Sequence, residues 1–393
     1  MQRNNRSLII IALIAVVNAL GYGIIIPVLY SYSQKFGLSD FQNGLLFSAF
    51  SLAQFISTPI IGRLSDKYGR KPLLTISVAG TAVSFLMMAF APSAIWLFLA
   101  RILDGLTAGN IPVASAVISD TTKPQDRAKG FGIIGASFGF GFVFGPAIAA
   151  LTLRWGDAMP FIIAAVVSIV AMLATWIFLP ETNQHMGEVQ SGKLFDFKHL
   201  FTAVLDKNVG TTLLISLLYS LAFSLFIYGF QPFSVKVLHL SAQRISLIFT
   251  LIGVVGFVAQ AAIIPWIVKR LGDQKTLVVA LSVMIVTFTS FFLVRSGTLF
   301  ILIAMINALA NSFVGPLTQS LLSKEMDAQS QGSILGINSS YVAIGMIVGP
   351  IIGGVLATIS VPFPFLGAAI VIGISAILAL RLMRKHFAKQ HAF

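Results

Sequence analysis

Two residues of opposite charge, Arg101 and Asp104, lie one helical turn apart in the stretch ARILDGLTAGN, residues 100–110, which is otherwise apolar or small. Side chains three positions apart lie on the same side of a helix, so these two charges can pair. Burial disfavours an ionised carboxylate and a nearby cation favours it, so the pair can alternate between a charged, paired state and a protonated, unpaired state. We predict that Asp104 carries a proton and that Arg101 tunes it. The alternative is a fixed structural ion pair.

The composition indicates that this stretch crosses a membrane. The chain is 57% hydrophobic and 10% charged, whereas a soluble chain has about 25% charged residues. Its apolar segments can each span about 30 Å of hydrocarbon, and it lacks the alternating strands of an outer-membrane barrel. We therefore predict an all-α membrane protein of twelve transmembrane helices. The predicted segments are 7–32, 41–64, 71–93, 94–121, 127–154, 158–180, 207–233, 242–268, 276–295, 297–323, 330–357 and 362–383.

Lysine and arginine are distributed unequally between the two sides of the predicted membrane. If the N-terminus is cytoplasmic, 20 of the 26 basic residues lie in the cytoplasm, five lie outside, and Arg101 is the remaining one. This bias predicts that both termini are cytoplasmic. Attraction to anionic headgroups accounts for the net charge of +13, so no nucleic-acid partner is expected. The first apolar run is too long for a signal peptide and is interpreted as the first helix.

An internal repeat divides the chain into two halves. Residues 130–150 align with residues 334–354, and Pro112 aligns with Pro316, at a spacing of about 204 residues. Parallel repeats of this kind occur in transporters. We predict an N-terminal six-helix bundle at 1–180, a cytoplasmic linker loop at 181–206 and a C-terminal six-helix bundle at 207–393.

The loop between the second and third predicted helices reads GRLSDKYGRKP, Gly62–Pro72. A basic loop is expected on the cytoplasmic side, but Asp66 stands at the C-terminal end of a helix, where the macrodipole disfavours an acid. Asp66 therefore needs a partner, and Arg70 and Arg127 are the candidates. Gly62 suits close packing and Gly69 a tight turn.

This loop resembles the signature loop of the major facilitator superfamily. The run GFVFGP in the fifth helix resembles the motif of the drug/proton antiporter branch, and Arg101 with Gly105 resembles that branch's fourth-helix motif. The resemblance covers the whole chain and is closest to twelve-helix tetracycline and multidrug antiporters. It implies two pseudo-symmetric six-helix bundles, an antiporter motif at Gly141, Gly145 and Pro146, and a conformational gate at the loop. The gate residues are Gly62, Asp66, Gly69, Arg70, Lys71 and Arg127.

One position departs from the tetracycline antiporters. They carry an aspartate in the first helix, where this chain has Asn18 in NALGYGIIIP. Asparagine cannot carry a proton, so either Asp104 takes over that role or the coupling differs. The departure weakens the case for tetracycline as the substrate.

The remaining polar residues inside helices, with neighbouring aromatic residues, form the predicted substrate site. Singly, such residues are more often contacts between helices than ligand contacts. As a set beside abundant Phe, they suit an apolar or amphipathic ligand. The predicted substrate-binding residues are Asn18, Tyr22, Gln54, Asn110, Phe230, Gln260, Asn307, Asn311, Asn338 and Tyr341.

These features predict proton-coupled export of lipophilic drugs or related small molecules by alternating access. The alternative is a proton-coupled or facilitative carrier of a sugar or another metabolite. An enzyme would need a nucleophile–base or metal constellation, and the predicted spans contain no His, Cys or Glu. We expect no metal site and no cofactor, with a proton gradient as the energy source. We further expect a monomer in the cytoplasmic membrane of a bacterium.

Overall fold

The structure is a computed structural model that describes residues 2–123, 127–183, 197–206, 209–325 and 331–390. Within these ranges the chain is helical and has no β-strand. Twelve helical stretches are long and apolar enough to cross a membrane, which confirms the predicted fold class. The α-helices are α1 (Gln2–Gln34), α2 (Asp40–Tyr68), α3 (Arg70–Ala89), α4 (Ala94–Thr107), α5 (Ile111–Thr121), α6 (Arg127–Thr152), α7 (Met159–Phe178), α8 (Phe197–Ala203), α9 (Gly210–Lys236), α10 (Ala242–Val258), α11 (Ile264–Leu271), α12 (Asp273–Leu293), α13 (Gly297–Lys324), α14 (Gln331–Ile359) and α15 (Phe363–Gln390).

The predicted segment 94–121 consists of two helices, because the chain breaks between α4 and α5. Pro112 has no N–H group and cannot donate to the carbonyl oxygen of Ala108, four residues earlier. The side-chain amide of Gln54 donates to that oxygen instead, at 3.4 Å. A Cβ on Gly109 would lie 2.9 Å from Ile61 Cδ1, so glycine allows this break to lie against α2.

The predicted segment 242–268 is also irregular. A π-helical turn, Ala259–Ile263, separates α10 from α11, and Pro265 lies in the first turn of α11. Proline cannot donate to the carbonyl of residue 261, and a π-turn is one way in which a helix absorbs that loss. Gln260 lies in this turn.

The residues cluster into two compact units. The first comprises Met1–Leu38, Ala49–Phe195 and Ser241–Thr250, and the second comprises Ser39–Ser48, Asp196–Leu240 and Leu251–Phe393. The start of α2 therefore groups with the second unit and the start of α10 with the first. The predicted division at 1–180, 181–206 and 207–393 stays a prediction. In the predicted linker, 184–196 lie outside the described residues, and α8 lies within it.

The first unit has an aliphatic core. Its buried residues come from α1, α3, α5, α6 and α7, and include Ile11, Leu74 and Val117. Beside the core, α1 and α6 pack through small residues, because a Cβ on Gly145 would lie 2.8 Å from Gly23 Cα. Close approach of backbones through glycine is a common way to pack helices in membranes.

The second unit has an aromatic core. Phe226 packs against Phe288 and Phe291, with ring centroids 5.4 and 5.3 Å apart, and Phe300 and Phe365 continue the cluster. Its equivalent of the α1–α6 contact lies between α9 and α14, where Gly345 and Gly349 lie against serines of α9. The two repeats thus share a helix arrangement but fill their interiors with different side chains.

Candidate transport site and gate

Arg101 and Asp104 form a buried ion pair in α4. Arg101 Nη1 lies 3.1 Å from Asp104 Oδ2, and their side chains are 2% and 8% exposed. By contrast, the side chains of Lys35 and Asp157, an ion pair in the same unit, are each about half exposed. The structure thus places the predicted pair where separating its charges costs more free energy than at the exposed pair. Its predicted role in proton transfer stays a prediction.

The guanidinium of Arg101 also lies over an aromatic ring. Its Cζ is 4.2 Å from the centroid of Phe50 on α2, a favourable cation–π distance. Gly105 makes this approach possible, since a Cβ there would lie 2.7 Å from the Cβ of Ala53 on α2. Arg101 Nε has no hydrogen-bond partner within the described part of the chain. The pair therefore leaves the guanidinium with a spare donor.

Four of the predicted substrate-binding residues lie in the same unit as this pair. The ring of Tyr22 packs against Phe50 and Phe142, at centroid distances of 6.3 and 6.0 Å. Asn18 and Asn110 exchange hydrogen bonds, from Nδ2 of Asn18 to Oδ1 of Asn110 at 2.8 Å and in the reverse direction at 3.3 Å. The fourth is Gln54, whose side-chain amide donates to the carbonyl oxygen of Ala108 at the break between α4 and α5. The first unit thus brings together an ion pair, an aromatic wall and a satisfied amide pair.

Of the two candidate partners of Asp66, the structure pairs it with Arg70. The two side chains form an ion pair of 2.6 Å, one helical turn apart across the junction of α2 and α3. Arg70 also approaches Asp120 of α5, at 3.3 Å, so that one cation lies between two carboxylates. The other candidate, Arg127, instead donates to the carbonyl of Ser119 at 3.3 Å.

The two glycines of this loop behave differently. Gly69 has φ = +100°, a conformation that side chains disfavour, so the expected tight turn is found there. A Cβ built on Gly62 would meet no other described residue within 4 Å, apart from its chain neighbours and its own helix backbone, so the described part of the chain does not show the close packing expected there.

Sequence reasoning assigned no role to Glu181 and Asn183, which hold this loop together. The carboxylate of Glu181 accepts from the backbone N–H groups of Arg70, at 2.9 Å, and Lys71. It thereby caps the N-terminus of α3 with a negative charge, as the helix dipole favours. The amide of Asn183 donates to the carbonyl of Asp66 at 2.8 Å, at the end of α2. Both residues belong to the run FLPETN, and that motif after α7 was the signal available in the sequence.

The antiporter motif of α6 lies against α1. A Cβ on Gly141 would collide with Ala19, and Gly145 lies against Gly23. Pro146 is inside α6 and is close to Gly23 as well. These three residues set how closely two helices approach. Their role in antiport stays a prediction.

The predicted residues of the second unit are mostly engaged in packing. Asn307 donates to Thr287 Oγ1 at 2.8 Å, Tyr219 donates to Asn311 Oδ1 at 2.9 Å, and Tyr341 donates to the carbonyl of Leu200 at 2.7 Å. Phe230 is fully buried in the aromatic core. This placement favours a packing role for Phe230 and a helix-tethering role for Tyr341.

Two further predicted residues are less engaged. Asn338 is buried, and its Oδ1 has no hydrogen-bond partner among the described residues. Gln260 is exposed in the π-helical turn. Neither is brought together with the other predicted residues by any contact that the structure shows.

The fold and the loop can now be compared with known proteins. The family model of the Major Facilitator Superfamily matches residues 11–346. The chain belongs to this superfamily. It is therefore a membrane transporter of small molecules and not an enzyme.

Relatives within the superfamily are resistance proteins. The chain is 29% identical over 375 residues to the class H tetracycline resistance protein of Pasteurella multocida, covering 91% of each chain. It is also 29% identical to multidrug resistance protein 2 of Bacillus subtilis (strain 168), covering 90% of this chain and 89% of that one. A solved bacterial homolog of the human lysosomal transporter Spinster, inward-facing and occupied, superposes with a TM-score of 0.80 at 16% identity over 98% of this transporter and 97% of that chain. That likeness bears on the fold alone.

Proposed function

We propose that this transporter exports lipophilic drugs or related small molecules in exchange for protons by alternating access. The observation that carries the proposal is the buried pair of Arg101 and Asp104. A carboxylate buried beside a single cation is tolerable when ionised and paired, or when protonated and unpaired, but costly when ionised and unpaired. Exchange of a proton for a substrate needs a group with two such tolerable states.

The environment of the pair supports a lipophilic substrate. Three aromatic rings, Tyr22, Phe50 and Phe142, pack together beside Arg101. The amides of Asn18 and Asn110 in the same unit donate one hydrogen bond each to one another. A sugar needs several convergent and unoccupied hydrogen-bonding groups, whereas an amphipathic drug needs apolar surface with few polar contacts. The metabolite carrier is therefore the weaker candidate.

The test uses purified protein in vesicles with an imposed pH gradient. In Asp104→Asn, we expect uphill accumulation of a fluorescent lipophilic drug to be lost while downhill exchange remains, because asparagine cannot release a proton. Asp157→Asn, which removes an exposed carboxylate, is the matched control and should accumulate drug normally. If Asp104→Asn still concentrates drug against its gradient, the proton is carried elsewhere and the pair is structural.

The proposal includes the bacterial cytoplasmic membrane, a monomer and cytoplasmic termini. The chain has no cysteine, so single cysteines report the sidedness without background labelling. Leu205, 80% exposed, lies in the predicted cytoplasmic loop, and the exposed Ser241 lies in a predicted external one. In sealed cells an impermeant thiol reagent should label Ser241→Cys and leave Leu205→Cys unlabelled. The opposite labelling would reverse the proposed orientation.

A further inference from the structure

The first turns of α2 make a dense set of contacts within the second unit. Lys236, at the end of α9, lies 2.8 Å from both carboxylate oxygens of Asp40, the first residue of α2. The hydroxyl of Tyr228 donates to the backbone carbonyl of Asp40. Farther along α2, Ser48 donates to the carbonyl of Ile347 on α14 at 2.7 Å. Two ends of one ten-residue segment are thus tied to two different helices.

Glycines allow this segment to seat closely on α14. A Cβ on Gly354 would lie 3.0 Å from the backbone of Asp40 and Phe41, and Gly44 lies directly against the carbonyl of Pro350. The ring of Phe47 meets Tyr228 edge to face, at 6.2 Å. Bulkier residues would hold the helices apart and lengthen the polar contacts.

These contacts can separate at a modest cost in free energy. The carboxylate of Asp40 is 7% exposed, but the side chain of Lys236 is 40% exposed, so water reaches the ion pair from the lysine side. Separating such a pair costs less than separating one that is buried on both sides. The other contacts described above are single hydrogen bonds, glycine contacts and one ring pair, unlike the many-ring packing of the aromatic core.

α2 is one continuous helix, but its two parts group with different units. Residues 39–48 group with the second unit, whereas the rest of the same continuous helix, to Tyr68, groups with the first. Any rearrangement of one unit against the other must therefore bend α2 or release these contacts. The repeat-related segment 241–250, which groups with the first unit, has Arg244 as its one charged residue. It therefore has no carboxylate of its own for a latch of the same kind.

We propose that Asp40, Lys236 and Tyr228 form a releasable latch, and that they are positioning residues which set how long the transporter stays in the conformation of this structure. The latch rests on the alternating access proposed above, but not on the substrate or on the proton. Lys236 neutralises a buried carboxylate only while the segment 39–48 is seated. Removing the lysine should therefore favour release of the segment.

The experiment measures release by thiol labelling of full-length protein in nanodiscs, where the reagent reaches both membrane faces. Ser48→Cys is a nearly isosteric reporter at a position 4% exposed beneath the latch. In this background, Lys236→Gln should raise the labelling rate roughly ten-fold, because it removes the lysine cation that pairs with the Asp40 carboxylate. Lys236→Arg, which keeps the charge, should label at the parental rate. Lys35→Gln removes the cation of the exposed pair and should also have no effect.

A second reporter separates release from loss of structure. Ser168, fully buried in α7 of the first unit, is replaced by cysteine in the same set of variants and should stay unlabelled in all of them. An unchanged rate at Ser48→Cys in Lys236→Gln overturns the latch, and so does an equal rise at both reporters, which would make the ion pair a general structural contact. The readout needs neither drug nor pH gradient, so a failure of the export proposal leaves this result unaffected.

Discussion

The two units have related helices but different polar interiors. In the first, Asn18 bonds to Asn110, and in the second, Tyr219 bonds to Asn311, each pair being separated by 92 residues. Each unit therefore has a neutral polar contact between residues at this separation. Beside its pair, the first unit has Arg101 and Asp104, whereas the repeat spacing puts Met305 and Ala308 at the matching places in the second.

This difference indicates that the two repeats have different roles. Neutral polar contacts contribute little free energy and tether helices in both units. A buried ion pair is costly to insert, and it occurs where the proposed proton chemistry needs it. The second unit has an aromatic core instead, and phenylalanine packs well but cannot titrate.

The largest effect is expected from Arg101→Ala. It leaves Asp104 buried without its cation, so we expect transport to be abolished and the free energy of unfolding to fall by about 3–5 kcal/mol. Asn311→Ala is the comparison in the second unit, and it should lower the free energy of unfolding by about 1–3 kcal/mol. Thermal or denaturant unfolding in detergent would measure the loss of stability in both variants. Equal losses in the two units would remove the distinction between a charged and a neutral interior.

The next effect is expected at the gate loop, where the units also differ. In the first unit Arg70 bridges Asp66 and Asp120, whereas in the second Asp273 pairs with the largely exposed Lys324 and accepts from Ser320. Asp66→Asn removes a charge-assisted contact of about 1.5 kcal/mol. We expect the transport rate to fall roughly ten-fold with expression nearly intact.

Asp273→Asn is the matched control for the gate, measured by the same vesicle transport assay. It should slow transport less, because its lysine partner can return to water. A wild-type rate in Asp66→Asn would reduce the loop to a signal for topology.

A smaller effect distinguishes the glycine contacts of the two units. Alanine at Gly349 would meet the Cβ of Ser224 at 2.8 Å, and alanine at Gly145 would meet the Cα of Gly23 at 2.8 Å. Each change should lower the free energy of unfolding by about 1–3 kcal/mol. Adding Ser224→Gly should recover part of the loss at Gly349, since it removes the colliding atoms. Gly23 has no side chain left to remove, so the first unit offers no such rescue.

The double-mutant cycle of Gly349→Ala with Ser224→Gly measures this recovery. Additive losses would show that the clash is not with the serine, and would contradict the close contact of α9 and α14.

The smallest effect is expected from Tyr219→Phe. It removes the hydroxyl that donates to Asn311 at 2.9 Å, and such interhelical bonds contribute about 0.6 kcal/mol on average. The free energy of unfolding should fall by about that amount, and uphill export of the drug should persist. A loss of proton-driven export in Tyr219→Phe would place essential chemistry in the second unit as well.

The sequence alone determined the class of protein and the number of spans. Membrane-length apolar runs can only be helices, because backbone groups in lipid must be satisfied within the segment. It also indicated the ion pair of Arg101 and Asp104, since a turn of helix brings residues three apart together whatever surrounds them. The sequence left the partner of Asp66 open between Arg70 and Arg127, and the structure shows the pair with Arg70.

Only the tertiary structure decided contacts between residues distant in the chain. The cap of Glu181 on α3 joins residues 111 apart, and the pair of Asp40 and Lys236 joins residues 196 apart; no local periodicity encodes either one. The amide pair of Asn18 and Asn110 and the burial of Phe230 depend likewise on which helix faces meet. A helix pattern specifies which side chains share a face, whereas the neighbour of that face follows from packing the whole unit.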